Sequence, residues 1–241
     1  MQYFGGKSKV CKEIKDIINY EILMNDMEFL SAFVGAGWVE QYVTGTKILN
    51  DKHMYLMDMY KELQSGWVPP TKLSKEEYEN IKNNKNDKSY LTGFVGFGCS
   101  FAGKWWRGYA KNKRGDNYCK NSCNSILKKI KNGLLRNTQL TNMDYKEINP
   151  SNKIIYCDPP YKGTEKYGLV GEFNSKEFWD IMRRWSKNNI VFISEYEAPQ
   201  DFKPIWECNT KTRLNNRDRV EKLFVNINQI NNEGEIIYEK Q

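Results

Sequence analysis

The segment Ile154-Ile155-Tyr156-Cys157-Asp158-Pro159-Pro160-Tyr161 constrains the fold more than any other stretch of this chain. A short apolar run reads as a buried strand, and it stops in an acid, two prolines and an aromatic ring. Proline cannot continue a central strand, because it lacks the amide hydrogen that the ladder needs. Asp158 and Tyr161 are therefore held at the strand's carboxyl end, the edge at which open α/β sheets bind ligands. The group offers a carboxylate, the Pro159 carbonyl in a fixed direction and a flat ring. That set suits gripping the amino group of a planar base. A plain strand followed by a Pro-Pro turn uses the same residues, so the rest of the chain has to decide.

A β-turn-α-β-acid unit lies upstream. Residues 28–34 read as a strand, followed by a Gly35-Ala36-Gly37 turn and a helical stretch to about 44. Thr46–Asn50 reads as a second strand ending at Asp51, with a helix over roughly 53–65. Small residues in the turn let a ligand approach the backbone. Asp51 stands where a ribose-binding acid is expected in such folds, although Asp before a helix is also an ordinary cap. The α/β pattern resumes with a strand at 154–157, a helix at 175–187 capped by Ser175, a strand at 190–194, a segment at 202–207 and an alternating strand at 219–228.

Between these halves the composition shifts. Residues 71–140 are rich in Lys, Asn, Gly and aromatics, with a helix at about 74–84. The expected division is a catalytic domain of residues 1–66 and 141–241 and an inserted, mostly helical recognition module of residues 67–140. In the insert, Ser100, Lys104, Trp105, Arg107 and Tyr109 run on into Lys111, Lys113 and Arg114. Cations interleaved with aromatics fit phosphate contact and base stacking. Trp105 and Trp106 could instead be core, but the density of glycine, aromatics and cations together favours nucleic-acid contact. The basic run Lys128, Lys129, Lys131 and Arg136 reads as a solvated helix face.

Composition narrows the partners. A chain of 241 residues accommodates one sizeable domain with a small insert, and a net charge of +7 suits a polyanion. It has no run of 18 apolar residues and no apolar signal core near Met1, so a cytoplasmic protein without a membrane partner is expected. Six scattered cysteines, expected reduced, and the single histidine His53 give no metal-site spacing. Gly5-Gly6-Lys7-Ser8 is not a phosphate loop, since Met1 stands where that pattern needs a further glycine. It can still present amides and an ammonium to an anion.

In order, Phe4-Gly5-Gly6-Lys7, Phe33-Val34-Gly35-Ala36-Gly37, Asn50-Asp51 and Asp158-Pro159-Pro160-Tyr161 resemble the DNA adenine-N6 methyltransferases of the Dam type. The Phe-Val-Gly-Phe-Gly-Cys-Ser-Phe block at 94–101 looks like their phage and prophage branch. The resemblance implies a Rossmann-like S-adenosylmethionine-dependent methyltransferase sheet, with seven mostly parallel strands and an antiparallel last hairpin. It implies S-adenosylmethionine as donor, S-adenosylhomocysteine as product, and double-stranded DNA as substrate. Lys7 and the Gly35–Gly37 turn would hold the donor's methionine part, Asp51 its ribose and Asp144 its adenine end, with Tyr3, Phe33 and Asp158 also lining the donor. Asp158, Pro159, Pro160 and Tyr161 would form the catalytic pocket. Ser31-Ala32 stand where the family usually has an acid and a proline.

On this reading Asp158 and the Pro159 carbonyl accept the two amino hydrogens of a flipped adenine, and Tyr161 stacks on it. Transfer to cytosine N4, RNA or a protein amide is the nearest rival, and Asp before Pro-Pro favours adenine. A DNA-binding protein with a degraded donor site is another, and Ser31-Ala32 points there. A dinucleotide oxidoreductase rests on the glycine turn alone. Neither a recognition sequence nor a partner restriction endonuclease can be read from the residues.

Overall fold

The computed structural model describes residues 1, 6–111, 117–160, 173–211 and 218–238. Its strands are β1 (Glu28–Ser31), β2 (Lys47–Asn50), β3 (Thr138–Thr141), β4 (Lys153–Cys157), β5 (Ile190–Glu195), β6 (Phe202–Lys211) and β7 (Asp218–Asn226). They form one seven-stranded sheet in the order β3-β2-β1-β4-β5-β7-β6. The first five strands of the chain pair in parallel, and β7 runs antiparallel to both β5 and β6. The mostly parallel, Rossmann-like sheet with an antiparallel closing hairpin is the arrangement that the family resemblance implies.

The chain winds outward from β1 through β2 to β3 in one direction, and from β4 to β5 in the other. The order therefore reverses between β1 and β4, the topological switch point where such sheets bind ligands. Ser31 pairs in register with Tyr156, so the turn after β1 and Asp158 after β4 emerge side by side. The sequence motif and the glycine turn meet for this reason.

Central strands are buried on both faces, as parallel strands flanked by helices must be. Phe29, Ile154, Tyr156, Phe192 and Leu223 face one core, while Leu30, Ile155, Cys157, Val191, Ile193 and Phe224 face the other. The helices are α1 (Cys11–Asn25), α2 (Met54–Gln64), α3 (Lys75–Asn83), α4 (Ser89–Gly98), α5 (Tyr118–Asn132) and α6 (Ser175–Trp185). Phe178, Ile181, Met182 and Trp185 of α6 fill the second core. α1, α2, α4 and α5 contribute to the first. α4 approaches α2 closely because Gly93 has no side chain: a Cβ there would lie 2.0 Å from the Tyr55 carbonyl oxygen.

Several local expectations are corrected. The glycine turn is followed by a single 3-10 turn over Glu40–Tyr42, not a helix to 44, because the short span to β2 leaves no room for several helical turns. His53 rather than Asp51 caps α2, and Asn174 rather than Ser175 caps α6. Residues 138–141 form the edge strand β3, so the boundary placed at 140/141 falls inside the sheet. Lys129 is 1% exposed and so departs from the solvated face read for its basic run, whereas Lys128, Lys131 and Arg136 are exposed as that reading has them. No element was expected over residues 8–27, where α1 runs.

Candidate active site at the carboxyl edge of the sheet

The turn after β1 is fixed from several sides. Gly35 and Gly37 have φ of 47° and 63°, in the left-handed region that glycine enters without Cβ strain. The Gly35 amide donates to Asp51 Oδ2 at 3.0 Å, and the His53 amide donates to Asp51 Oδ1 at 2.9 Å. Asp51 thus couples the end of β2 to the turn. Burial pushes its carboxyl up, and the two amide hydrogen bonds oppose that. The Tyr60 hydroxyl donates to the Gly35 carbonyl at 2.7 Å, and the Lys129 ammonium donates to the Ala36 carbonyl. Lys129 Nζ also lies 3.6 Å from the Trp38 ring centroid.

Asp144, just after β3, pairs with Lys52 at 2.8 Å. Burial would raise its carboxyl, yet the Lys52 hydrogen bond and the Lys146 amide together hold it below its ordinary value. Phe33 packs 4.9 Å from Tyr145 and 6.0 Å from Phe178, centroid to centroid. The Tyr145 hydroxyl is buried and has no hydrogen-bond partner among the described residues. Phe33, Tyr145 and Phe178 therefore form an aromatic wall next to Asp144.

Asp158 follows β4 directly, with Pro159 buried behind it and Pro160 half-buried. Lys7, which precedes α1 and is 5% exposed, places Nζ 2.7 Å from Asp158 Oδ1 and 3.6 Å from Glu221 Oε2. Burial alone would depress the Lys7 ammonium. The Asp158 and Glu221 carboxylates outweigh it, so the group is raised above its ordinary value. Lys7 was expected at the donor's methionine end; in the structure it spans the Asp158 carboxylate and a second one, Glu221, that no sequence motif singles out.

Ser31, in place of the family acid, is fully buried and donates to Glu40 Oε1 at 2.7 Å. A carboxylate thus reaches this corner from nine residues downstream in sequence. Glu40 and Lys129 were both missed, and no local pattern marks either: each is defined by what the tertiary fold packs against it.

The insert departs most from expectation. Ser100 is fully buried with its hydroxyl 2.8 Å from that of Tyr78, so it belongs to the insert's interior rather than to a DNA-facing surface. Trp105 is half-buried against His53 and Phe97, with centroids 4.3 and 4.7 Å away, and stacks on Tyr55 at 5.6 Å. Tyr109 donates to the Leu73 carbonyl at 2.6 Å. These aromatics serve packing, the alternative left open for the Trp pair. Arg107 and Lys111 are exposed and Lys104 is half-buried. Tyr3, Lys113, Arg114 and Tyr161 lie outside the described residues. Buried His53 is held neutral, pulled down to about 4 by burial, so it caps α2 and is no base.

No group of three or more His, Cys, Asp or Glu among the described residues is placed to hold a metal ion, and none of the described helices is long and apolar enough to cross a membrane. The sequence matches the family model described as D12 class N6 adenine-specific DNA methyltransferase over residues 3–96 and 102–233. A comparison with curated proteins returned no match. Among solved structures, the fold is similar to the rRNA methyltransferase aviRa from Streptomyces viridochromogenes, at 10% identity and a TM-score of 0.40, covering 93% of this chain and 88% of that one. It is also similar to the magnesium protoporphyrin IX methyltransferase of Synechocystis PCC 6803 with bound SAM, at 7% identity and a TM-score of 0.35, covering 90% and 79%. Both likenesses are distant.

Proposed function

The chain belongs to the D12 class N6 adenine-specific DNA methyltransferase family, and from that premise we propose that it methylates N6 of an adenine extruded from duplex DNA, using S-adenosylmethionine. The observation that carries this reading is the position of Asp158 at the switch point, in register with the glycine turn.

The residues present fit that donor. The turn with positive φ at Gly35 and Gly37 would receive the donor along its backbone, with Gly37 packed on Leu134 behind it. Asp51 and Asp144 offer carboxylates for ribose and adenine, beside the Phe33 and Tyr145 rings. Lys7 offers an ammonium to a carboxylate. S-adenosylmethionine, when bound, supplies an electrophilic methyl group on a sulfonium.

The rest of the work falls to the chain. Adenine N6 is a poor nucleophile because its lone pair is delocalised into the ring. Accepting its two hydrogens at Asp158 and the Pro159 carbonyl favours a pyramidal nitrogen with a localised pair, aligned for attack. The base has to leave the helix to reach this edge, and Tyr161 supplies a stacking face, worth about 1–3 kcal/mol. Residues 67–140 would carry recognition, with Lys104, Arg107, Lys111, Lys113 and Arg114 toward phosphates.

Incubation with genomic DNA and labelled donor, followed by mapping of modified adenines, tests reaction and site together. Asp158→Ala is expected to abolish transfer while calorimetry still detects donor binding. Transfer by that variant at near wild-type rate would sink the assignment.

A further inference from the structure

The sheet's geometry brings a second carboxylate to Lys7. Tyr156 and Leu223 face the same core, and side chains alternate along strands. Asp158 and Glu221, each two residues from one of them toward the carboxyl edge of β4 and β5, therefore continue that face past the rim. β7 is antiparallel to β5, so its amino-terminal half is the part that reaches this edge. Lys7 enters from the same side, just ahead of α1, and lands between the two acids at 2.7 and 3.6 Å. Glu221 is itself anchored: the Tyr196 hydroxyl lies 3.4 Å from Glu221 Oε1 and accepts from Arg219 Nη1 at 2.9 Å.

We propose that Glu221 is a positioning residue for methyl transfer: it shares the Lys7 charge with Asp158, so that Asp158 keeps its strength as the acceptor facing adenine N6. The proposal rests on the adenine-methyltransferase reading above. Glu221 adds one negative charge beside the Lys7–Asp158 pair. As N6 bonds the methyl carbon, the electron pair of the breaking S–C bond stays on sulfur and positive charge grows on N6. It is relieved when an N6 proton passes to the carboxylate side. The added Glu221 charge favours that build-up, and its removal lessens the support.

The test compares Glu221→Gln and Glu221→Asp with wild type in single-turnover transfer of labelled methyl to adenine-containing duplexes. Donor affinity is measured by calorimetry, and the Lys7 ammonium is titrated by NMR in donor-free protein. Glu221→Gln is expected to slow transfer by roughly 10- to 100-fold, to leave the donor Kd within about threefold, and to lower the Lys7 titration. Glu221→Asp, which keeps the charge, should recover most of the rate. Wild-type speed in Glu221→Gln with an unmoved Lys7 titration overturns the proposal. So does a loss confined to donor affinity, which would assign Glu221 to donor binding instead. No transfer by the wild-type chain overturns the reaction reading itself and this role with it; an unaffected variant of an active wild type overturns the role alone.

Discussion

The Ser31 hydroxyl donates to Glu40 Oε1 across 2.7 Å, joining the end of β1 to the 3-10 turn that follows the glycines. Glu40 is 2% exposed and has no ion-pair partner within 4.0 Å among the described residues. Asp158, Lys129, Lys47, Tyr60 and Tyr156 all feel its charge. Burial pushes its carboxyl up to about 7, against its own backbone and the Ser31 hydroxyl, which favour ionisation.

That shift gives a signed prediction. The folded chain holds the Glu40 proton more tightly than the unfolded chain, whose value is the ordinary 4.5. The contribution is complete below that value and is lost as pH rises through about 7. Glu40→Gln cannot titrate, so it should remove a fall in stability on the order of 3 kcal/mol across this window. Urea unfolding of both proteins at the two ends of the window measures it; parallel losses would contradict the assignment.

Lys129 holds the Gly35–Gly37 turn from behind. Burial pulls its ammonium down to about 7, yet it donates to the Ala36 carbonyl. Lys129→Met keeps much of the stem and removes the donor, leaving that carbonyl unsatisfied at a cost of about 1–3 kcal/mol. Donor affinity should fall with it, because the turn loses its rear support. A stability change within about 0.5 kcal/mol would show the lysine on a solvated face after all.

At Gly37 two effects add. A Cβ would meet Leu134 Cδ1 at 2.6 Å, and φ is +63°. Gly37→Ala should destabilise by about 1–3 kcal/mol and weaken donor binding. Adding Leu134→Ala relieves the clash but not the backbone strain, so donor affinity should stay low in the pair. Full recovery would mean that sterics alone fix the turn.

Trp105 and Arg107 should separate cleanly, although they are near neighbours in one basic-aromatic segment. Trp105→Ala empties packing against His53, Phe97 and Tyr55 and should cost about 3 kcal/mol in thermal or urea unfolding. Arg107→Ala should leave stability nearly unchanged and reduce the log–log salt slope of DNA binding by about 1. A slope change in Trp105→Ala without a stability loss would return that residue to the DNA surface.

Much of the architecture was legible because its signals are local. The Pro-Pro stop after Ile154–Cys157, the glycines at 35 and 37 and the acid after β2 each act within a few residues, and the alternation of strands with helices set the sheet. α1 was less readable. Cys11, Ile14 and Ile18 are buried at helical spacing, but Tyr20, Leu23 and Met24 stay exposed and blur the stripe. The glycine-rich helix α4 runs against local propensity and is formed where Gly93 lets it close on Tyr55.

By itself the sequence determined that Asp158 ends a buried strand, that Gly35–Gly37 form a turn, and which family the motif order resembles. Only the tertiary structure decided which charges share the site. Glu40 reaches Ser31, Lys129 reaches Ala36 across 93 positions, and Glu221 meets Lys7 from the opposite end of the chain. A charged side chain is placed in the interior by what surrounds it in space, since burial costs too much unless a partner is already there. Local pattern carries no record of partners that only the closed sheet brings together.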